Sequence, residues 1–302
     1  FRATPTATSL GISPDDGFPR DYSQDTLEEN LNFPDQVGRY NNPAGNSATE
    51  EWITWVQKVA AEVYKEFPDH VITTNGYANR NTPPIGVTPD PKIWIMFCPD
   101  SSDVYHALDN PKSWTTRRQL HMLQDWTGLY KNVFMYNYLY YNFVGGSAPP
   151  IPLSHRYMHD MPILKKLGVA GFFDEGRMLR GESGIFPTYM RARMMWNAGS
   201  DGKAMMREFF NDWYGLAATP AMAYWEEMEN AIEHSIWSGG EDHILWNVYT
   251  PALMAKLDAH LKQEEAAAQG NPLVRQHVLA DRVTFDHQQA YMAMVRAEFD
   301  AD

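Results

Sequence analysis

Val169-Ala-Gly-Phe-Phe-Asp-Glu-Gly176 is a short apolar run that stops abruptly at two adjacent carboxylic acids and a glycine. Such a run reads as a buried strand of a parallel sheet, and its carboxyl end delivers Asp174 and Glu175 to a surface. In α/β barrels that end of the sheet carries the chemistry. Ser9-Leu-Gly-Ile-Ser-Pro-Asp-Asp-Gly17 ends the same way. Two strand ends carrying acids point to a carboxylate enzyme, with glycoside hydrolysis the first reaction to consider.

Working outward, strand-like runs at Thr8–Ile12, Val71–Tyr77, Ile93–Cys98, Val133–Tyr140 and Val169–Phe173 alternate with amphipathic stretches. Alternation of this kind is the signature of a parallel sheet covered by helices. Ser47 and Glu50 form a capping box for the first helix, where Trp52, Trp55, Val56, Val59, Val63 and Phe67 recur at helical spacing. Further helices are expected from Pro111 to Tyr130, from Ser154 to just before Gly168, and from Phe186 to Trp196. After Asn197 only helix starts remain, at Ser200, Thr219-Pro220, Thr250-Pro251 and Asn271-Pro272. Their apolar residues, among them Met205, Phe209, Trp225, Met228, Leu253, Leu257, Leu261, Tyr291 and Val295, read as packing stripes.

The fold expected is therefore α/β: a partial (β/α)8 barrel with about five parallel strands over residues 1–198, followed by an all-helical region over 199–302. Five strands do not close a barrel of eight. Either three βα units precede Phe1 in the parent chain, or the sheet is open. The first strand begins so near the amino terminus that a missing barrel half is the preferred reading. A start at Phe1 rather than Met fits a processed or cropped piece.

Composition narrows the chemistry. The 302 residues are 44% hydrophobic, enough for a substantial core. The net charge of −13, with 25 basic against 38 acidic side chains, argues against a nucleic-acid partner. No apolar run approaches the roughly 20 residues of a membrane span, and no signal peptide is evident. Cys98 is the sole cysteine, which excludes an internal disulfide. His155 and His159 stand four apart, but the zinc-protease glutamate and a third ligand are missing. Gly145-Gly-Ser147 precedes prolines rather than opening a helix, and no G-x-S-x-G elbow occurs. Neither a metal nor another cofactor is expected.

The ordered series Ser9–Gly17, Phe67–Tyr77, Pro83-Pro84, Trp114 to Trp126, Asn132–Phe143, Gly168–Gly176 and Met195–Asn197 through Trp213–Ala218 resembles one bacterial family, long listed as domain of unknown function 4838 and in part classified as glycoside hydrolase family 163. The resemblance covers about residues 8–233. It implies a (β/α)8 barrel followed by helices, a periplasmic or extracellular setting, and a retaining β-N-acetylglucosaminidase acting on N-glycan cores with help from the substrate's acetamido group. Family members often carry a cysteine pair after the acidic turn. Here that stretch reads Phe18-Pro-Arg-Asp-Tyr-Ser-Gln24.

The residues themselves suggest roles. Glycosidic cleavage needs a protonated acid for the leaving oxygen and a group that stabilises positive charge at the anomeric carbon. Glu175 is the expected donor, because an apolar strand and the neighbouring Asp174 would both raise its pKa. Asp16 is the expected second group. With acetamido assistance, Asp16 or Asp15 would orient the amide; otherwise Asp16 would be the nucleophile, and the roles of the two acids could be exchanged. Alternation along a strand turns only one acid of each adjacent pair inward. A turn at Asp15–Gly17, or a helix cap or ion pair at Asp174 and Glu175, is the non-catalytic reading. Sugar faces stack on rings and hydroxyls bond to amides, which nominates Asn75, Tyr77, Trp126, Tyr136, Asn137, Tyr138 and Asn142, with His106 as a loop contact. Half of any strand's side chains face the helices, so several of these are core. The alternative function is a non-catalytic carbohydrate-binding or scaffold protein on the same architecture.

Overall fold

In the computed structural model, residues 1–14, 23–25, 47–99, 103–137, 150–174, 184–237 and 245–301 are described. Five strands form one sheet: β1 (Ser9–Gly11), β2 (Val71–Gly76), β3 (Ile93–Phe97), β4 (Val133–Asn137) and β5 (Val169–Asp174). All four pairings are parallel, and spatial order follows chain order. A doubly wound sheet reverses direction partway. An unreversed series with right-handed crossovers keeps every connecting helix on one face, which makes this sheet the arc of a (β/α) barrel.

Burial follows from that wrapping. In β3, Ile93, Ile95 and Phe97 are buried while Trp94 and Met96 are half-exposed; β2 and β4 alternate likewise. The buried row faces the helices. Helix α1 (Thr49–Glu66) contributes Trp52, Ile53, Val56 and Ala60 to this layer, with the Trp52 indole donating to Thr74 Oγ1 at 2.9 Å. Helix α2 (Trp114–Leu129) sends Trp126 against Gly76. Helix α3 (Ser154–Leu167) ends at Gly168, whose φ of 87° lies in the left-handed region that glycine adopts without strain.

Beyond the sheet the chain is helical: α4 (Ile185–Trp196), α5 (Gly202–Tyr214), α6 (Ala218–Glu233), the single turn α7 (Leu245–Val248), α8 (Pro251–Ala267) and α9 (Pro272–Ala301). All nine residues assigned to packing stripes in this region are buried. Aromatic contacts bind the core, with Phe186 4.7 Å from Phe210 and 5.4 Å from Trp225 between ring centres. By contact density the chain divides into two compact units. The first comprises Phe1–Ser102, Arg117–Asn137 and Leu164–Glu175; the second comprises Asp103–Thr116, Tyr138–Ile163 and Gly176–Asp302.

Several helix starts differ from expectation. The Ser47–Glu50 capping box does not form: the N-cap is Ala48, and the Glu50 carboxylate turns away to accept the backbone N–H groups of Ile85 and Gly86. A buried acid satisfied by two backbone donors outcompetes a local cap. Pro111 lies in a turn three residues before α2. Asp201 caps α5 in place of Ser200, and Pro220 falls in the first turn of a helix that Thr219 does not cap. Thr250 and Asn271 do cap their helices, accepting from Leu253 and from Leu273 and Val274.

Candidate functional site

The carboxyl end of the sheet belongs to the first unit. Asn137 and Asp174 are the last residues of β4 and β5, paired in register, and the Asn137 amide donates to Asp174 Oδ1 at 2.9 Å. Alternation places both on the face shared by Val133 and Met135. Tyr136 and Phe173 occupy the opposite face, their rings stacked 5.0 Å apart. The half-open face also carries Trp94 and Phe134, stacked at 5.2 Å. Phe173 is 52% exposed, so this aromatic row reaches solvent.

Asn75 lies on that same face near the end of β2, and its side-chain oxygen accepts from Arg80 Nη2 at 3.4 Å. Tyr77 follows in extended conformation and leads into a 3-10 turn (Ala78–Arg80). Arg80 is fully buried, its guanidinium 5.8 Å from the Trp52 ring centre and bonded to Asn79. Burial lowers its pKa from the usual arginine value. Arg80 is a feature of the site that the sequence reading did not single out; a lone arginine after a strand carries no distinguishing pattern.

Trp126 corrects one expectation. It is fully buried in α2, and its indole N–H donates to the Asn81 carbonyl at 2.8 Å, so it is core and presents no face to a sugar. Asp15, Asp16, Tyr138, Asn142 and Glu175 lie outside the described residues.

His106 belongs to the second unit and lines a cavity of about 530 Å³ there. Its Nδ1 is 2.5 Å from Asp103 Oδ2 and its Nε2 is 2.8 Å from the Ser235 carbonyl. Both partners are acceptors, so both ring nitrogens carry hydrogen and the ring is an imidazolium. The bond to Asp103 raises the His106 pKa accordingly. Burial alone would raise the Asp103 carboxyl, but hydrogen bonds from His106 and Ser113 outweigh it and hold the group below its usual range.

The same cavity is bordered by a clamp that the sequence reading missed. His155 near the start of α3 is 3.1 Å from Glu226 and 3.0 Å from Glu233, and the hydrogen bond to Glu226 is the largest influence lifting its pKa to about 9. Between those two acids on α6, buried Glu229 accepts the backbone N–H groups of Ser154 and His155 at 2.7 and 3.3 Å. The signal was present as Glu226, Glu229 and Glu233, spaced to share one helix face. His159 pairs separately with Asp109 at 2.7 Å. His155 and His159 thus face different carboxylates, and among the described residues no three His, Cys, Asp or Glu side chains gather in a metal-holding group. Among the same residues no helix is long and apolar enough to cross a membrane.

Chemically, the sheet end offers a carboxylate oriented by an amide on one face and exposed rings on the other, and the second unit offers a polar cavity whose histidines are held by acids. No curated protein and no solved structure matches the chain. A family model described as domain of unknown function (DUF4838) matches residues 1–227, three quarters of the length, and the chain belongs to that family.

Proposed function

We propose that the chain is a glycoside hydrolase acting at the carboxyl end of its sheet, cleaving N-acetylglucosamine-containing glycans with a carboxylate pair. The observation that carries this reading is the Asn137–Asp174 pair at 2.9 Å at the ends of adjacent parallel strands, one residue beyond the Tyr136–Phe173 stack on the other face. Sugar hydrolysis needs acids at a strand end and flat rings beside them. Asp174 would keep its orientation through Asn137, and Glu175, the next residue, would be the proton donor. Asp16, or Asp15, would supply the second carboxylate: it would orient the substrate's acetamido group if that group attacks, and Asp16 would act as nucleophile if it does not. Resemblance of the strand-end motifs to glycoside hydrolase family 163 supports the choice of sugar. Asn75, Tyr77 and Tyr136 would contact the substrate, with Tyr138 and Asn142 as further candidates.

The test is hydrolysis of chitobiose-core N-glycans and aryl N-acetylglucosaminides by the chain and by Glu175→Gln. Loss of a general acid lowers turnover by about 10²–10⁴-fold, while ligand binding and the unfolding midpoint stay close to those of the parent. An unimpaired Glu175→Gln removes that acid from the mechanism. Binding of the glycans by the unmutated chain with no turnover at any pH favours the carbohydrate-binding alternative.

A further inference from the structure

Glu264, on the inner face of α8, is fully buried, and among the described residues neither of its carboxyl oxygens has a hydrogen-bond partner. Other buried acids are differently placed. Glu50 and Glu229 each take two backbone N–H groups, Asp103 takes His106 and two backbone N–H groups, and Asp160 takes Arg156 and the Leu108 N–H. An ionised carboxylate with no donor in a helix core is strongly unfavourable, and a group in that position keeps its proton instead.

A second acid nearby favours keeping that proton. Asp281 on α9 accepts the Tyr214 hydroxyl from α5 at 2.6 Å, and its charge acts on Glu264. Tyr224 of α6 is fully enclosed, with its hydroxyl in the field of both acids. The nearby charges are otherwise engaged: Arg282 of α9 binds Asp258 and Glu265, and His277 of α9 binds the Trp213 carbonyl. His260 and Glu265 are the titratable neighbours on α8 itself.

We propose that Glu264 is a buried proton-binding site: in the folded chain it is the neutral acid, its proton retained in the helix core in the field of the Asp281 carboxylate. Tyr214 then donates to an ionised Asp281 while Glu264 stays neutral, so the core holds one negative charge and not two. Removing the proton would place two negative charges in the same dry core.

Burial first, and the Asp281 charge second, lift Glu264 from 4.5 to about 9. The folded chain therefore holds a proton that the unfolded chain releases, so stability falls as pH rises between those values. From this group alone the unfolding constant grows about tenfold per pH unit. The experiment is urea unfolding of the full chain and of Glu264→Gln from about pH 5 to about pH 8. A neutral amide mimics the neutral acid, so Glu264→Gln should be the more stable protein at the upper end, with a pH slope shallower by one proton. His155 titrates in the same direction but is unaltered in the variant, so the difference isolates Glu264. Identical slopes overturn the proposal, because they mean that Glu264 is ionised when folded. A second readout protects against a variant that does not fold: the infrared spectrum of the unmutated chain at neutral pH should hold the carbonyl stretch of a buried protonated acid, lost on alkaline titration. Absence of that band also overturns the proposal.

Discussion

Gly76 and Trp126 are two halves of one contact. A Cβ at Gly76 would sit 3.0 Å from Cζ2 and 3.3 Å from Cε2 of the Trp126 ring, and that ring is fully buried and anchored by its N–H on Asn81. Because the ring has no room to yield, Gly76→Ala should lower the unfolding free energy by about 1–3 kcal/mol. Urea denaturation at neutral pH measures this directly, and an unchanged midpoint would mean that the ring moves. The same contact explains why Trp126 misleads a reading of sequence. A tryptophan beside Asp125 looks like a sugar platform, and its helical spacing fits core equally well; only the facing glycine, fifty residues earlier, decides between them. Asp174 is more legible, since it ends an apolar run, whereas Asn137 falls inside the run Val133–Tyr140 and only the parallel register sets it opposite Asp174.

At the scale of elements, α3 and α6 are joined by charge. His155 carries Glu226 and Glu233 on its two nitrogens, while Glu229 accepts the first N–H groups of α3, where the helix dipole favours an anion. The folded pKa of His155 is raised from 6.5 to about 9, so its contribution is fully present below 6.5 and is lost as pH rises through 9. Replacing His155 with Gln should therefore destabilise the chain at pH values near 6 by roughly 1–3 kcal/mol and have little effect above the folded pKa. Thermal unfolding of both proteins across that window checks it, and a pH-independent difference would show that lost packing dominates. Helix existence was legible throughout, from apolar periodicity and proline. Caps were less so: Glu50, placed three residues after a serine, is drawn to Ile85 and Gly86 by a long-range contact that no local pattern encodes.

At the scale of the whole chain, a sheet of five strands in chain order follows from alternating runs of strand and helix, and that much was readable in advance. What alternation does not reveal is which face stays open. Parallel sheets are ordinarily covered on both sides, yet here the row of Trp94, Phe134, Tyr136 and Phe173 is half-exposed or exposed while Ile93, Ile95, Val133 and Met135 are buried. If the open row is the floor of a glycan site, its members should separate by exposure. Phe173, 52% exposed, contributes little to folding, so Phe173→Ala should leave the unfolding midpoint nearly unchanged and weaken N-acetylglucosamine oligomers by the roughly 1 kcal/mol of a ring contact, about fivefold in Kd. Phe134, stacked on Trp94 at 5.2 Å in the middle of the row, should behave oppositely: Phe134→Ala lowers stability by about 2–4 kcal/mol, with affinity reduced only as far as the fold is. Calorimetric titration of both variants, set beside their urea midpoints, makes the comparison, and a Phe173→Ala protein with unaltered affinity would take the glycan off this face.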